Sequence, residues 1–228
     1  MMKYWSHLRI GFLENRGIDK EDIKRLKIGD LSKFYSDEFI DYVKIIKDNY
    51  NKETLQLVFD SLDKICKMNQ QMYGNFNYVI IPSFDKNMNN VGTCFRSISF
   101  LKNGNWKNLY KFHFFNAPRF LYGEDKLDEY KSFFVFEGVF DVIHCKKNGI
   151  DNCLGLGNNT LSKYQYQKIK DKKLHFIFDN DMGGNNGLQI IEKMNLQGSL
   201  LPGYKDIDEM DKEETMKFIA SLNIDING

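Results

Sequence analysis

From residue 132 onwards, the sequence alternates short apolar runs with segments of helical periodicity, and this order strongly constrains the fold. The first run, 133–136, is wholly apolar, which is typical of a strand covered on both faces. Three further strands are predicted at 153–156, 174–178 and 199–201, and helices at 139–147, 162–170, 188–194 and 212–222. This alternation predicts an α/β fold, a small parallel sheet flanked by helices.

The preceding part of the chain follows different patterns. Helical periodicity is predicted at 8–27, 36–49 and 52–72, and Asp19 is a candidate N-cap. Between 77 and 112, strand-like runs are interrupted by turn residues, which predicts an antiparallel meander. We therefore predict two domains: a helical and antiparallel-β subdomain at 1–130, and the parallel α/β domain at 131–228.

Charge and composition exclude some classes of protein. The net charge of +1 is lower than is usual for a protein that binds DNA non-specifically, although an acidic site can offset a basic groove. No apolar run is long enough to cross a bilayer and no signal peptide is visible, so a cytoplasmic protein is expected. The four cysteines form no C-x-x-C pair, so no zinc site is expected in this chain.

Acidic residues follow the first, third and fourth strands predicted from residue 132 onwards. They are Glu137, Asp141, Asp179, Asp181, Asp206 and Asp208. Because parallel strands end at one edge of a sheet, these carboxylates are expected in one crevice, where their repulsion favours a bound cation. Mg²⁺ prefers such oxygen ligands. Gly183 and Gly184 permit the backbone to turn sharply and a phosphate group to approach it closely. Each motif alone is often only a loop or a helix cap, but their order favours a metal site.

These motifs resemble the Toprim family, which is shared by primases, topoisomerases and some nucleases. The family signature is a Glu-Gly after the first strand and an Asp-x-Asp after the third, here 137–138 and 179–181. Five further segments resemble DnaG-type primases in particular: 12–23 (FLENRGIDKEDI), 79–96, 116–121 (NAPRFL), 154–162 (LGLGNNTLS) and 205–209 (KDIDE).

The resemblance implies a DNA-directed RNA polymerase that makes short RNA primers from NTPs on single-stranded DNA. It implies metal-dependent nucleotidyl transfer with Mg²⁺ or Mn²⁺. The implied metal ligands are Glu137, Asp179, Asp181, Asp206 and Asp208, and the implied catalytic residues are Glu137, Asp141, Asp179 and Asp181. Glu137 is alternatively a general base. Candidate contacts to template or NTP phosphates are Arg96, Lys111, Arg119 and Lys205. The alternative is a surface ion pair for the arginines and a solvated surface cation for the lysines.

The zinc-binding and helicase-binding domains of the family are not recognisable in this sequence. We therefore expect either an excised core or a reduced phage protein acting in the host cytoplasm, with a replicative helicase and a separate zinc-binding domain as partners. The composition, rich in Lys, Asn and Ile, suggests an AT-rich genome such as many phages have. Two alternatives remain open: a Toprim-type metal-dependent nuclease, and a non-catalytic nucleic-acid-binding protein that retains the fold.

Overall fold

The chain divides into two compact units. The computed structural model describes residues 7–30, 78–100, 106–114, 119–204 and 206–222. The first unit comprises Met1–Pro82 and Thr93–Phe115, and the second comprises Ser83–Gly92 and Asn116–Gly228. The domain boundary that the sequence places at residue 130 stays a prediction.

Two short helices precede an antiparallel sheet, which belongs to the first unit except for residues Ser83–Gly92. The helices are α1 (His7–Asn15) and α2 (Lys20–Arg25). The strands lie in the order β1-β2-β3-β4: β1 (Gly29–Asp30), β2 (Tyr78–Phe84), β3 (Asn90–Phe100) and β4 (Trp106–Phe114). The Asp19 carboxylate accepts hydrogen bonds from the N–H groups of Glu21 and Asp22, so the predicted cap is confirmed. The helices predicted at 36–49 and 52–72 lie outside the described residues.

The second unit is built on a four-stranded parallel sheet in the order β6-β5-β7-β8. Its strands are β5 (Ser132–Phe136), β6 (Cys153–Gly155), β7 (Lys173–Phe178) and β8 (Gln197–Leu200). Its helices are α3 (Val139–Lys147), α4 (Lys163–Ile169), α5 (Met182–Lys193) and α6 (Lys212–Ser221). The predicted α/β fold class is confirmed, as is the parallel sheet flanked by helices.

Helix α5 begins earlier than the sequence pattern predicts. The prediction placed its start at Leu188, where the apolar stripe begins, and assigned Gly183 and Gly184 to a turn. In the structure, both glycines lie in the first helical turn. The cause is the Asp181 carboxylate, which accepts a 2.9 Å hydrogen bond from the Gly184 N–H and caps the helix.

The core of the second unit lies on the parallel sheet. Every side chain of β5 is buried, as the wholly apolar run predicts for a strand covered on both faces. The strands, the helices that cover them and the adjoining loops contribute one cluster of buried side chains: Leu121, Phe133, Val135, Leu154, Leu156, Leu161, Ile169, Leu174, Phe176, Phe178 and Ile191. This packing fixes the positions at which the strands end.

A buried glutamine ties helix α4 to two other segments. Gln165 is 1% exposed, and its Nε2 donates hydrogen bonds to the carbonyl oxygens of Phe120 and Leu156, at 2.9 and 3.0 Å. Its Oε1 accepts a 2.9 Å bond from the Ser162 N–H, which completes a capping box at the start of α4. One side chain therefore satisfies three backbone groups.

We expect Gln165→Leu to destabilise the protein considerably, although leucine has a similar volume. Two buried carbonyls lose their donor, and each such loss costs about 1–3 kcal/mol. The urea midpoint measures the change in the free energy of unfolding, provided that the m-value is unchanged. Gln167→Leu on the same helix is the control, because Gln167 is exposed and its replacement should change stability little. Equal effects of both variants would contradict this account.

Candidate functional site

The strand order creates a crevice between two particular strands. The chain passes from β5 to β6 on one side and then crosses to β7 on the other, so the order reverses between β5 and β7. In open parallel sheets, ligands bind beyond the carboxyl ends of the strands at such a switch point. Glu137 directly follows β5 and Asp179 directly follows β7. The topology therefore places both carboxylates at this crevice.

Hydrogen bonds connect the acidic residues of the crevice to the backbone. The Asp179 N–H donates to Glu137 Oε1 at 3.1 Å, which joins the segments after β5 and β7. Asp141 is buried, and its Oδ2 accepts a 2.8 Å bond from the Gly138 N–H at the start of α3. Asp206 is half-buried and forms a side-chain hydrogen bond with Asp179. Four of the six predicted acidic residues thus interact through hydrogen bonds or through their charges: Glu137, Asp141, Asp179 and Asp206.

Asp179 is the electrostatic centre of this group. Burial raises the pKa of Asp179 to about 8, with further contributions from the charges of Asp141, Asp206 and Glu137 and from the hydrogen bond with Asp206. Each of these causes disfavours the ionised carboxylate. Asp179 therefore holds a proton near neutral pH. A cation at this position would relieve the repulsion between Asp179 and the neighbouring carboxylates.

Asp181 and Asp208 occupy more exposed positions. The Asp181 N–H donates to the Asp179 carbonyl oxygen at 2.9 Å, which forms a tight turn across Asn180. The Asp181 carboxylate is exposed and caps α5. Asp208 is half-buried in a short 3-10 helix, Ile207–Glu209. Asp179 and Asp181 are therefore joined by a tight turn.

The acidic group fits a divalent cation by its chemistry. Carboxylate oxygens are the ligands that Mg²⁺ and Mn²⁺ prefer, and burial together with the charges of Asp141, Asp206 and Glu137 raises the pKa of Asp179. Within the described ranges, no three His, Cys, Asp or Glu side chains are arranged as a set that could hold a metal ion. The carboxylates whose charges act on Asp179 are those of Asp141, Asp206 and Glu137.

The predicted basic residues are distributed over both units. Arg96 lies on β3 of the first unit, beside a register irregularity, and is paired in register with Lys111 of β4. Arg119 belongs to the second unit and is exposed, with its Cζ 4.6 Å from the ring centroid of Tyr164. Lys205 lies outside the described residues.

Two further residues contact this part of the second unit and were not predicted from the sequence as site residues. Asn159, in the loop after β6, donates from Nδ2 to the Gly183 carbonyl oxygen at 3.2 Å and so holds the first turn of α5. Its position after the carboxyl end of a parallel strand could have identified Asn159 as a site residue. Tyr164, which contacts Arg119, gave no signal, because an exposed tyrosine on a short helix is unremarkable in a sequence.

Among the described helices, none combines the length and the apolar character that crossing a membrane requires.

Part of the second unit matches a known family. Residues 134–211 match the family model described as Toprim-like. The DNA primase of Mycoplasma genitalium is 29% identical over 172 residues, which cover 63% of this chain and 27% of the relative. The DNA primase of Legionella pneumophila is 27% identical over 191 residues, 80% of this chain and 31% of the relative. The chain thus spans about a third or less of the length of these primases.

The fold also matches solved structures. A structure of the DnaG primase catalytic domain bound to single-stranded DNA has a TM-score of 0.63 at 18% identity, and the match covers 96% of this chain and 74% of that one. The zinc-binding and RNA polymerase domains of the Aquifex aeolicus primase give a TM-score of 0.59 at 22% identity, covering 93% and 54%. At these identities, the likeness establishes a shared fold.

Proposed function

We propose that this chain, which carries a Toprim domain and resembles DnaG-type primases, is a primase catalytic core. In this proposal it joins NTPs into short RNA primers on a single-stranded DNA template. The observation that carries the proposal is the convergence of Glu137, Asp141 and Asp206 on Asp179 at the switch point of the sheet. The similarity to primases over most of the chain supports the choice of reaction.

The carboxylates are proposed to hold one or two divalent cations. Asp179, Asp181 and Asp206 are the proposed ligands, with Glu137, Asp141 and Asp208 completing the acidic group. A divalent cation held by these carboxylates would lower the proton affinity of the attacking 3′-hydroxyl and neutralise charge on the leaving pyrophosphate. The high pKa of Asp179 supports this proposal, since its proton is the species that a cation would replace.

Glu137 is the proposed link between the two central strands. Its carboxylate accepts the N–H bond of Asp179, so it orients the turn that carries Asp179 and Asp181. The same carboxylate is also a candidate general base.

The basic residues are proposed to contact phosphates. Arg96, Lys111, Arg119 and Lys205 are the candidates, and guanidinium groups suit phosphate oxygens because they donate two parallel hydrogen bonds. A replicative helicase and a separate zinc-binding domain are proposed partners for template selection. These assignments rest on the resemblance and on the exposure of Arg119.

Incubation with single-stranded DNA, labelled NTPs and Mg²⁺ or Mn²⁺ tests the proposal, with products resolved on a gel. We expect short template-dependent RNA from the wild type. We expect at least about a 100-fold loss with Glu137→Gln, because a positioned carboxylate contributes about 10²–10⁴ to such reactions. Glu129→Gln is the matched control: Glu129 is exposed and precedes β5, whereas Glu137 follows it.

Two results would contradict the primase assignment. Metal-dependent shortening of labelled DNA or RNA without synthesis would indicate the nuclease alternative. Tighter DNA binding by Glu137→Gln, with no activity in either protein, would indicate a binding module, because a surface that faces phosphates gains affinity when it loses negative charge.

A further inference from the structure

Arg119 and Tyr164 form an exposed cation–aromatic pair on the second unit. The Cζ atom of Arg119 lies 4.6 Å from the ring centroid, and Tyr164 remains 54% exposed. Among the residues that the structure describes, no carboxylate forms an ion pair with this guanidinium. The face of an aromatic ring attracts a cation through its quadrupole and leaves the N–H donors of the guanidinium available for another ligand.

The backbone that carries Arg119 is fixed from several directions. The Phe120 ring packs so closely on Gly92 that a Cβ added to Gly92 would overlap the ring. The Phe120 carbonyl accepts a hydrogen bond from Gln165, and the Leu121 carbonyl accepts one from Ser83 Oγ at 3.0 Å.

The segment stays fixed beyond Leu121. Its N–H donates to Glu124 Oε2 at 2.7 Å, and Tyr122 exchanges two 2.9 Å backbone bonds with Gly155 of β6. The base of the Arg119 side chain therefore has little freedom.

Tyr164 comes from a segment that is tied to the same place. It immediately precedes Gln165 on α4, and Gln165 bonds the carbonyl of Phe120, which immediately follows Arg119. Both members of the pair thus emerge from neighbours that are hydrogen-bonded to each other in the core. An ordinary surface arginine loses conformational freedom when it binds a ligand, whereas this arginine has lost much of it already.

We infer that Tyr164 is a positioning residue that holds the Arg119 guanidinium for a phosphate group. A planar guanidinium matches two phosphate oxygens, and an exposed guanidinium that pairs with none of the described carboxylates can receive an anion. The phosphate belongs either to a nucleic-acid backbone or to the triphosphate of a nucleotide. The inference rests on the proposed function only where it names nucleic acid or a nucleotide as the source of the phosphate.

Binding of a fluorescein-labelled oligothymidylate, followed by fluorescence anisotropy in EDTA and in Mg²⁺, tests the inference. We expect Tyr164→Ala to weaken binding about two- to fivefold and Tyr164→Phe to bind like the wild type, because phenylalanine keeps the ring face. We expect Arg119→Gln to weaken binding more, and to reduce the slope of log K against log [salt] by about 0.7, which corresponds to one phosphate contact on a single strand.

The double variant separates positioning from direct contact. If Tyr164 acts through Arg119, Tyr164→Ala should cost nothing further in the Arg119→Gln background. A full additive loss there would mean that the ring itself contacts the ligand, and the inference would be wrong. The inference would also be wrong if Tyr164→Ala bound the oligonucleotide as tightly as the wild type. Lys163 is an exposed cation of the same helical turn. If Lys163→Gln weakened binding as much as Arg119→Gln, binding would depend on overall positive charge, and the inference would be wrong.

Competition experiments identify the source of the phosphate. Displacement of the oligonucleotide by ATP and by inorganic tripolyphosphate in the wild type but not in Arg119→Gln would assign the pair to a triphosphate. Arg119-dependent binding that these competitors leave unchanged would assign it to the DNA backbone, and both results support the inference. If the protein binds the oligonucleotide in this way but makes no RNA, the proposed function alone is wrong. If Tyr164→Ala changes neither RNA synthesis nor oligonucleotide binding, this inference alone is wrong.

Discussion

Replacing Asp179 by asparagine should abolish metal-dependent activity and, in metal-free buffer at pH 8, raise the melting temperature. Asparagine keeps the size and much of the hydrogen bonding of the protonated carboxyl, and it removes the negative charge that Asp141, Asp206 and Glu137 oppose. The loss of activity should exceed the roughly 10–100-fold typical of residues that only support metal ligands. Activity assays and thermal melts measure the two effects.

The sign of the stability effect follows from proton binding. The pKa of Asp179 is about 8 in the folded protein, above the ordinary aspartate value of 3.8, so the folded state binds the proton more tightly than the unfolded chain. Its contribution to stability is therefore complete below about pH 4 and is lost as the pH rises through about 8. Asp179→Asn should weaken this pH dependence, and added Mg²⁺ should raise the melting temperature of the wild type more at pH 8 than at pH 6.

Asp171→Asn is the matched control for this experiment. Asp171 is exposed and precedes β7, whereas Asp179 follows the same strand. The control should keep wild-type activity and wild-type pH dependence. A lower melting temperature for Asp179→Asn than for the wild type in metal-free buffer at pH 8 would contradict the account of charge crowding.

Replacing Gly184 by alanine should be far more damaging than replacing Gly183, although the two glycines are adjacent. A Cβ on Gly184 would overlap the carbonyl oxygen of Asp179 and lie 2.9 Å from its carbonyl carbon. Backbone atoms cannot move aside cheaply, so the first turn of α5 must shift away from the Asp179–Asp181 turn. Overpacking of this kind costs about 1–3 kcal/mol or more. We expect a melting temperature lower by about 2–4 °C per kcal/mol, and loss of activity.

Gly183→Ala is the internal control. A Cβ at Gly183 would lie 3.1 Å from Asp181 Oδ1 and 3.4 Å from Asn159 Nδ2, which are ends of side chains that can move slightly. Alanine also favours the helix by roughly 1 kcal/mol over glycine, which offsets this crowding. We therefore expect near wild-type stability. Similar melting temperatures for the two variants would show that contact with the Asp179 backbone does not limit this turn.

Much of the second unit could be predicted because its signals are local. The helix predicted at 139–147 is observed as Val139–Lys147, and the strand predicted at 174–178 is observed as Lys173–Phe178. Apolar runs define these strands, and the rule that parallel strands end at one edge then brings Glu137 and Asp179 together. Local pattern plus topology was sufficient for this part of the candidate site.

The remaining features depend on contacts between distant segments. The pKa of Asp179 depends on Asp141 and Asp206, which are contributed by other segments of the chain. Gln165 looks like a surface residue in the sequence, but it bonds a carbonyl 45 residues away. The start of α5 was missed because a capping aspartate outweighs the low helix propensity of Gly183 and Gly184.

Two of the acidic residues lie where helices begin. Asp141 is in the first turn of α3 and Asp181 caps α5, so the positive ends of two helix dipoles point towards the carboxylates. Each dipole is equivalent to roughly half a positive charge at its N-terminus. This partial charge neither diffuses away nor titrates. The backbone therefore offsets part of the negative charge of Asp141 and Asp181 permanently.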